Sequence, residues 1–290
     1  MRGSAVSILI VGMLLLSGCS EEHEAFTIEV LNGYTPVKHQ GKTQTCWVYA
    51  MLAAIETEHI MRGDSVHLSV AWVEHMMEQD TLVPQSKRGM GATLLNLIGR
   101  YGLVPYDAMP HRDDLPPHLA FMLGAQYTPL EFAHSVCAPD EYIGLGCSTD
   151  HPTGLLYEPQ LPDNWCHHQL LNLSADSLLT VTEQAVRQHR GVCWEGDISE
   201  HGFDWKRGTA RLSLISGSTT DDHCMAIVGM ARDSGGSPFF IMKNSWGRKN
   251  PYGGLMFMSY GYFKKKTIAV FLPKEVIATS PSRAAVDESH

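Results

Sequence analysis

The chain has 290 residues, of which 44% are hydrophobic and 18% charged, and this composition is typical of a globular protein rather than a disordered one. Its formal net charge of -9 argues against a nucleic-acid-binding surface, because phosphate contacts depend on clustered Lys and Arg. We expect no nucleic-acid partner.

The first 19 residues have the pattern of a targeting segment. Arg2 precedes an apolar core over residues 8–16, which is too short to span a membrane. The core ends in Leu16-Ser17-Gly18-Cys19, which resembles the bacterial lipobox and implies cleavage before Cys19 and acylation of that cysteine. The alternative is a plain secretory signal whose cysteine is incidental. Ser20 favours an outer-membrane location in the bacterial envelope, on the periplasmic face or the cell surface.

The first half of the remaining chain has helical patterns. After a linker over residues 20–36, a helix is predicted over Cys46–Met61, and its apolar residues lie on nearly all sides, as in a central buried helix. Two further helices are predicted over residues 93–101 and 177–190, each ending before a glycine. Residues 105–162 are predicted to be a long irregular insertion.

The second half has short apolar runs separated by turn residues, which is typical of β-strands. The predicted strands cover residues 192–194, 226–231, 238–242, 255–259 and 268–272. Residues 277–290 are predicted to be a C-terminal tail. The fold class is therefore α+β, with a helical lobe, a β lobe and a cleft between them.

Three short segments carry candidate chemistry. Cys46 opens the central helix, where the macrodipole and unpaired N–H groups favour a thiolate. His223 precedes an apolar strand, which suits a base paired with a cysteine on the other lobe. Asn244 begins Asn244-Ser245-Trp246-Gly247 after the next strand, and its amide oxygen is predicted to orient the His223 ring while Trp246 covers that hydrogen bond.

Together these segments resemble the papain superfamily of cysteine peptidases. The family places an oxyanion-hole Gln six residues before its catalytic Cys, as Gln40 stands before Cys46. The Cys-Trp pair, the His at a strand start and the Asn-Ser-Trp-Gly element recur in order. The resemblance implies a two-lobed peptidase domain over residues 37–276, with Cys46, His223, Asn244 and Gln40 as catalytic residues. It also implies a peptide or protein substrate and no cofactor.

Further motifs resemble the bleomycin hydrolase and aminopeptidase C branch. These motifs are Arg88-Gly89-Met90 before Tyr101-Gly102-Leu103-Val104-Pro105, Cys193-Trp194-Glu195-Gly196-Asp197 before Gly202-Phe203, and a late Leu272-Pro273-Lys274. The family's substrate-binding Gly-Gly pair is reduced to Arg88-Gly89, so only Gly89 is carried over, with Trp246, as a substrate-binding residue. Gln44 replaces a Gly two residues before Cys46, and both changes are expected to narrow the cleft.

Other readings of these residues stay open. The chain could be a silent peptide-binding lipoprotein on a peptidase scaffold, an amidase or a transglutaminase. The resemblance also leaves open whether the chain forms an oligomer. We expect no metal at Cys166-His167-His168, because no second cluster with ligand spacing follows.

The cysteines allow two further expectations. Cys137, Cys147 and Cys166 lie in one region where a disulfide could form, but their spacing does not fix a pairing. Cys224 is predicted to point to the face of its strand opposite His223 and to pack as an apolar side chain.

Overall fold

A computed structural model describes residues 23–212, 219–220 and 223–278. The helices are α1 (Cys46–Met61), α2 (Val70–Gln79), α3 (Gly91–Tyr101), α4 (Pro129–Val136), α5 (Ala175–Arg187), α6 (Tyr260–Lys266) and α7 (Lys274–Ala278), with a 3-10 turn at Tyr106–Ala108. The predicted signal peptide with Cys19, and residues 279–290 of the predicted tail, lie outside the described residues.

Thirteen strands are present in the described part of the chain. They are β1 (Phe26–Leu31), β2 (Ala120–Met122), β3 (Ala125–Tyr127), β4 (Tyr142–Gly146), β5 (Leu156–Tyr157), β6 (Leu170–Asn172), β7 (Val192–Gly196), β8 (Phe203–Asp204), β9 (Thr209–Ala210), β10 (His223–Asp233), β11 (Pro238–Lys243), β12 (Leu255–Ser259) and β13 (Thr267–Pro273).

Most of these strands join one large sheet in the order β5-β6-β4-β13-β7-β10-β11-β12-β9-β8, and β1 also pairs with β10. The pairs are antiparallel except β4 with β6 and β9 with β12. Strands β2 and β3 form a separate hairpin. The predicted α+β class, with a mostly antiparallel β half, is confirmed.

Helix α1 is the central helix that the sequence predicts, with the same bounds. Its buried side chains include two carboxylates, Glu56 and Glu58, each held by partners from the β half of the chain. Glu56 lies 3.7 Å from the Lys243 ammonium at the end of β11. Glu58 accepts from the Gly191 N–H at 2.7 Å. These contacts fix α1 against the sheet, because a buried carboxylate without a partner is costly.

The sheet buries both of its faces around β10. Met225 and Ile227 pack in a core with Trp194 of β7, whereas Ala226 and Val228 face a second core that includes Ala53 of α1. This alternation places α1 directly on one face of β10, since successive side chains of a strand point in opposite directions. The start of α1 and the start of β10 are thereby brought to the same place.

Several elements differ from the sequence predictions. Residues 26–31, assigned to a linker, form β1 and pair with β10, so the fold begins earlier in the chain. The insertion at residues 105–162 contains α4 and four short strands. The start of helix α4 is marked in the sequence by a capping box of Thr128 and Glu131, with Pro129 between them. Within the described residues, every helix is too short or too polar to cross a membrane.

Candidate active site

Cys46 is the first residue of α1, as predicted. The preceding Thr45 does not cap the helix with its side chain, because its hydroxyl donates to Glu74 Oε1 at 2.6 Å instead. The first turn of α1 therefore has no side-chain cap from Thr45 on its backbone N–H groups. Such a helix start favours negative charge and hence a thiolate.

His223 is the first residue of β10 and is only 3% exposed. Its Nε2 lies 2.8 Å from Asn244 Oδ1. The same Oδ1 accepts the Ser245 N–H at 2.7 Å, which identifies it as the acceptor and gives Nε2 the donated proton. Nδ1 is then the ring nitrogen that is left to interact with the Cys46 thiol.

Trp246 packs over this pair of residues. Its ring lies 4.8 Å from the His223 ring, measured between centroids, and makes edge contacts with Phe203 and Trp205. Asn244 beneath it is 2% exposed. The His223–Asn244 hydrogen bond is therefore buried beneath Trp246. Trp246 lies against His223 rather than among the residues that line the cleft beside Cys46.

Cys46 lies beside two side chains at the start of β10, His223 and Cys224, which line the same cleft. The largest influence on the pKa of Cys46 is the Cys224 thiol, which lowers it. Together with the charge and hydrogen bonding of His223, it outweighs the effect of burial, which raises this pKa. Together they hold the pKa of Cys46 well below the usual range of a thiol. The structure thus brings Cys46, His223 and Asn244 into one connected arrangement.

The contact of Cys224 with Cys46 contradicts the prediction that Cys224 faces away from the site. His223 and Cys224 are successive residues of β10, yet both line the cleft at Cys46. The Cys224 backbone N–H also helps to lower the pKa of Cys46. The alternation rule failed here because Cys46 lies at the end of the strand, where it contacts the backbone and both neighbouring side chains. No sequence signal marked this residue as functional.

Gln40, the predicted oxyanion-hole residue, is buried beside the Asn244 segment. Its Nε2 donates to the Thr43 carbonyl at 2.8 Å, and its Oε1 accepts from the Ser245 hydroxyl at 2.5 Å. Its backbone N–H also donates to the Ser245 carbonyl at 2.8 Å. These contacts fix the amide between the two lobes, and its role towards an oxyanion stays a prediction.

One wall of the cleft is formed by residues 87–89. Trp47 Nε1 donates to the Lys87 carbonyl at 3.1 Å, and a Cβ at Gly89 would lie 3.0 Å from the Trp47 ring. Gly89 therefore allows the segment to approach α1 closely. Gln44 also lines the cleft, in line with the expectation that it occupies space near the cleft floor.

The same wall contains an ion pair that the sequence did not predict. Arg88 Nη2 lies 2.6 Å from Asp163 Oδ2, and Arg88 Nε donates at 2.9 Å to both carboxylate oxygens. Trp165 Nε1 donates to the Arg88 carbonyl at 2.9 Å. A loop of the β5–β6 connection is thus fixed next to Cys46 by a bidentate pair and a backbone contact. The pairing joins residues 75 positions apart, and no local pattern signals it.

No disulfide joins the three described cysteines between α4 and β6, where the sequence allowed one. Cys137, Cys147 and Cys166 are all free thiols in the described structure. Burial raises the pKa of Cys137 to about 12. His167 pairs with Glu158 instead of a metal-ligand cluster, and the described residues include no group of three or more side chains suited to a metal ion.

Comparisons with known proteins agree with this arrangement. No protein-family model matches the sequence. Papaya proteinase 4 of Carica papaya is 25% identical over 215 residues, or 73% of this chain and 49% of that protein. The chain therefore spans about half the length of the curated relative that it matches. PepW from Lactobacillus rhamnosis HN001 has a TM-score of 0.70 over 90% of this chain and 84% of its own, at 16% identity. The chain therefore has the papain-like fold.

A second structure extends the papain-like likeness. The Amb a 11 cysteine protease, a ragweed pollen allergen in its proform, has a TM-score of 0.53 and 18% identity, over 88% of this chain and 66% of its own. At these identities the solved structures show the papain-like fold. The roles of Cys46, His223, Asn244 and Gln40 follow from the geometry of this chain and remain proposals.

Proposed function

We propose that this protein is a cysteine peptidase in which Cys46 is the nucleophile, His223 its base and later acid, and Asn244 the residue that orients His223. The observation that carries the proposal is the arrangement of Asn244, His223 and Cys46, in which His223 Nε2 donates to Asn244 Oδ1 and the His223 ring lines the same cleft as the Cys46 thiol. Its order is the one that acyl transfer requires, with the base between the nucleophile and the orienting group.

The proposed reaction has two steps. The Cys46 thiolate attacks a peptide carbonyl, and the imidazolium of His223 gives its proton to the leaving amine. Water then attacks the thioester, with His223 taking the proton of that water, and Cys46 is released. Gln40 and the Cys46 N–H are proposed to stabilise the oxyanion. No cofactor takes part in this sequence.

The experiment that tests this function is a peptidase assay on the full chain and on Cys46→Ala. We expect the wild type to hydrolyse unblocked peptides, to lose activity after reaction with an epoxide inhibitor and to carry that inhibitor on Cys46. The Cys46→Ala variant should be inactive and unlabelled. A silent binding protein would bind peptide without turnover, and an amidase or transglutaminase would prefer cell-wall peptides or form crosslinks.

We further propose that the enzyme trims peptides from their free N-terminus. The support is the narrow cleft, in which Arg88, paired with Asp163, stands where the resembling family has a Gly. Such a wall leaves little room for residues that precede the cleaved bond. Comparing cleavage of N-blocked and unblocked peptides tests this, and equal rates on both would contradict it.

Lipid anchoring is a separate proposal that depends on the sequence of the first 19 residues. Cleavage before Cys19 and acylation of its thiol would attach the peptidase domain to the bacterial envelope, in the outer membrane. The test is expression of the full chain and of Cys19→Ala, followed by membrane fractionation and mass measurement of the mature N-terminus. A wild-type protein that is processed without an added lipid would contradict the proposal.

A further inference from the structure

A second thiol lies beside the proposed nucleophile in the same cleft. Cys224 is the second residue of β10, where it pairs with Glu195 of β7, and it is 3% exposed. Cys224 and Cys46 line the same narrow cleft and belong to the same packed cluster. The Cys224 thiol and its backbone N–H both contribute to the lowered pKa of Cys46.

A hydrogen bond between the two thiols would run from Cys224 to Cys46, because the pKa values of the two groups are shifted in opposite directions. Burial raises the pKa of Cys224 well above the usual range of a thiol, and contact with Cys46 raises it further. Cys224 therefore keeps its proton where Cys46 has lost its own. A thiol has one proton to donate, and the Cys46 sulfur is an anionic acceptor, which makes such a hydrogen bond stronger than one between neutral groups.

We propose that Cys224 is a further catalytic residue, whose S–H donates to the Cys46 thiolate and keeps it ionised at acidic pH together with His223. This inference rests on the proposed function, because it takes Cys46 as the nucleophile. The hydrogen bond acts on the free thiolate. When the sulfur becomes part of a thioester it loses its negative charge, and the hydrogen bond weakens.

Several other ionisable groups face this pair of sulfurs. On β10 it is His223, on β7 they are Cys193 and Glu195, and on the cleft wall they are Arg88 and Asp163. A small cavity beside Cys224 is also lined by Lys38, Tyr49 and Lys243. Their contributions remain in place when Cys224 is replaced, so a comparison of variants at that one position isolates its hydrogen bond.

The test is the pH dependence of Cys46 alkylation by iodoacetamide in the full chain, followed by mass spectrometry of the peptide that contains Cys46. In Cys224→Ala we expect the acid limb of the rate profile to move up by about one pH unit, since a hydrogen bond to a charged group has about that effect. The plateau rate should rise by about threefold, because a more basic thiolate is more nucleophilic. Cys224→Ser keeps a donor and should stay near the wild type.

Two further variants separate the hydrogen bond from packing. Cys224→Val fills the space of the thiol without a donor and should show the same shift as Cys224→Ala, which covers the case in which the alanine variant does not fold. Cys137→Ala removes a free thiol of equal exposure, 3%, at the end of α4 and should leave the profile unchanged.

The possible results are distinguishable. An unchanged acid limb in Cys224→Ala and Cys224→Val, or an equal shift in Cys224→Ser, would overturn the role of the Cys224 proton. A wild-type Cys46 that alkylates no faster at acidic pH than a free thiol would overturn the proposed nucleophile itself.

Discussion

Glu56 of α1 lies 3.7 Å from the ammonium of Lys243, the residue that directly precedes Asn244. Lys243 also donates to the Thr35 hydroxyl at 2.7 Å, and Thr35 in turn donates to Glu56. Glu56 is 0% exposed. The helix that begins at Cys46 and the strand that precedes Asn244 are thus joined by a buried ion pair one residue from Asn244.

Replacing Glu56 with Gln should destabilise the fold strongly. The change leaves Lys243 buried without its counter-charge, and breaking a buried pair on one side costs about 3–5 kcal/mol. Urea unfolding measures this loss. The matched control is Glu78→Gln, whose pair with Lys87 is exposed and is expected to contribute under about 1 kcal/mol. Similar losses in both variants would contradict the structural role of the Glu56 pair.

The same residue should make stability fall at acidic pH. Burial opposes ionisation of Glu56, but Lys38, Lys243 and the Leu68 N–H outweigh it and hold its pKa below the usual range. A carboxylate with a lowered folded-state pKa stabilises the fold above its unfolded pKa, and this contribution is lost as the pH falls through the folded value. Unfolding free energies measured from neutral to acidic pH should therefore decline in the wild type and decline less in Glu56→Gln. Equal slopes would exclude Glu56 as a cause.

Asn244 should affect turnover through the acceptor oxygen. In Asn244→Ala the His223 Nε2–H loses its partner, and we expect kcat to fall about tenfold from the loss of one buried hydrogen bond. Asn244→Asp keeps an oxygen in place and should retain more activity, and its negative charge should move the basic limb of the kcat profile to higher pH. An Asn244→Asp variant no more active than Asn244→Ala would argue against an orienting role.

The Arg88–Asp163 pair should limit which peptides enter the cleft. In the double variant Arg88→Gly with Asp163→Asn, the wall is removed without leaving an unpaired buried carboxylate. We expect cleavage of N-blocked peptides to increase while cleavage of unblocked peptides remains.

The control for that experiment is Arg100→Gly with Asp80→Asn. Arg100 has the same side-chain exposure as Arg88, 36%, and pairs with Asp80 at 2.5 Å, but neither residue lines the cleft. An equal change in specificity in both double variants would show that the effect is not local to the cleft wall.

The sequence predicted those parts of the fold that have strong local patterns. Helix α1 was predicted with its observed bounds because apolar residues surround it, and the five predicted strands correspond to β7, β10, β11, β12 and β13. The meeting of Cys46, His223 and Asn244 followed from motifs at the start or end of such elements.

What the sequence did not predict depends on tertiary contacts. Strand β1 gains its structure from pairing with β10. Asp163 is positioned by its ion pair with Arg88, a residue far away in the sequence. Cys224 was assigned by strand alternation, which describes side chains above and below a sheet but not a group located at the end of a strand.

The central claim is that Cys46 and His223 form a thiolate–imidazolium pair. The most direct measurement is the rate of Cys46 alkylation at about pH 5 to 6, a range in which an ordinary thiol is almost fully protonated, in the wild type and in His223→Ala. We predict rapid, selective modification of Cys46 in the wild type and a loss of more than about tenfold in His223→Ala. Equal rates in the two proteins, or slow modification in both, would contradict the account.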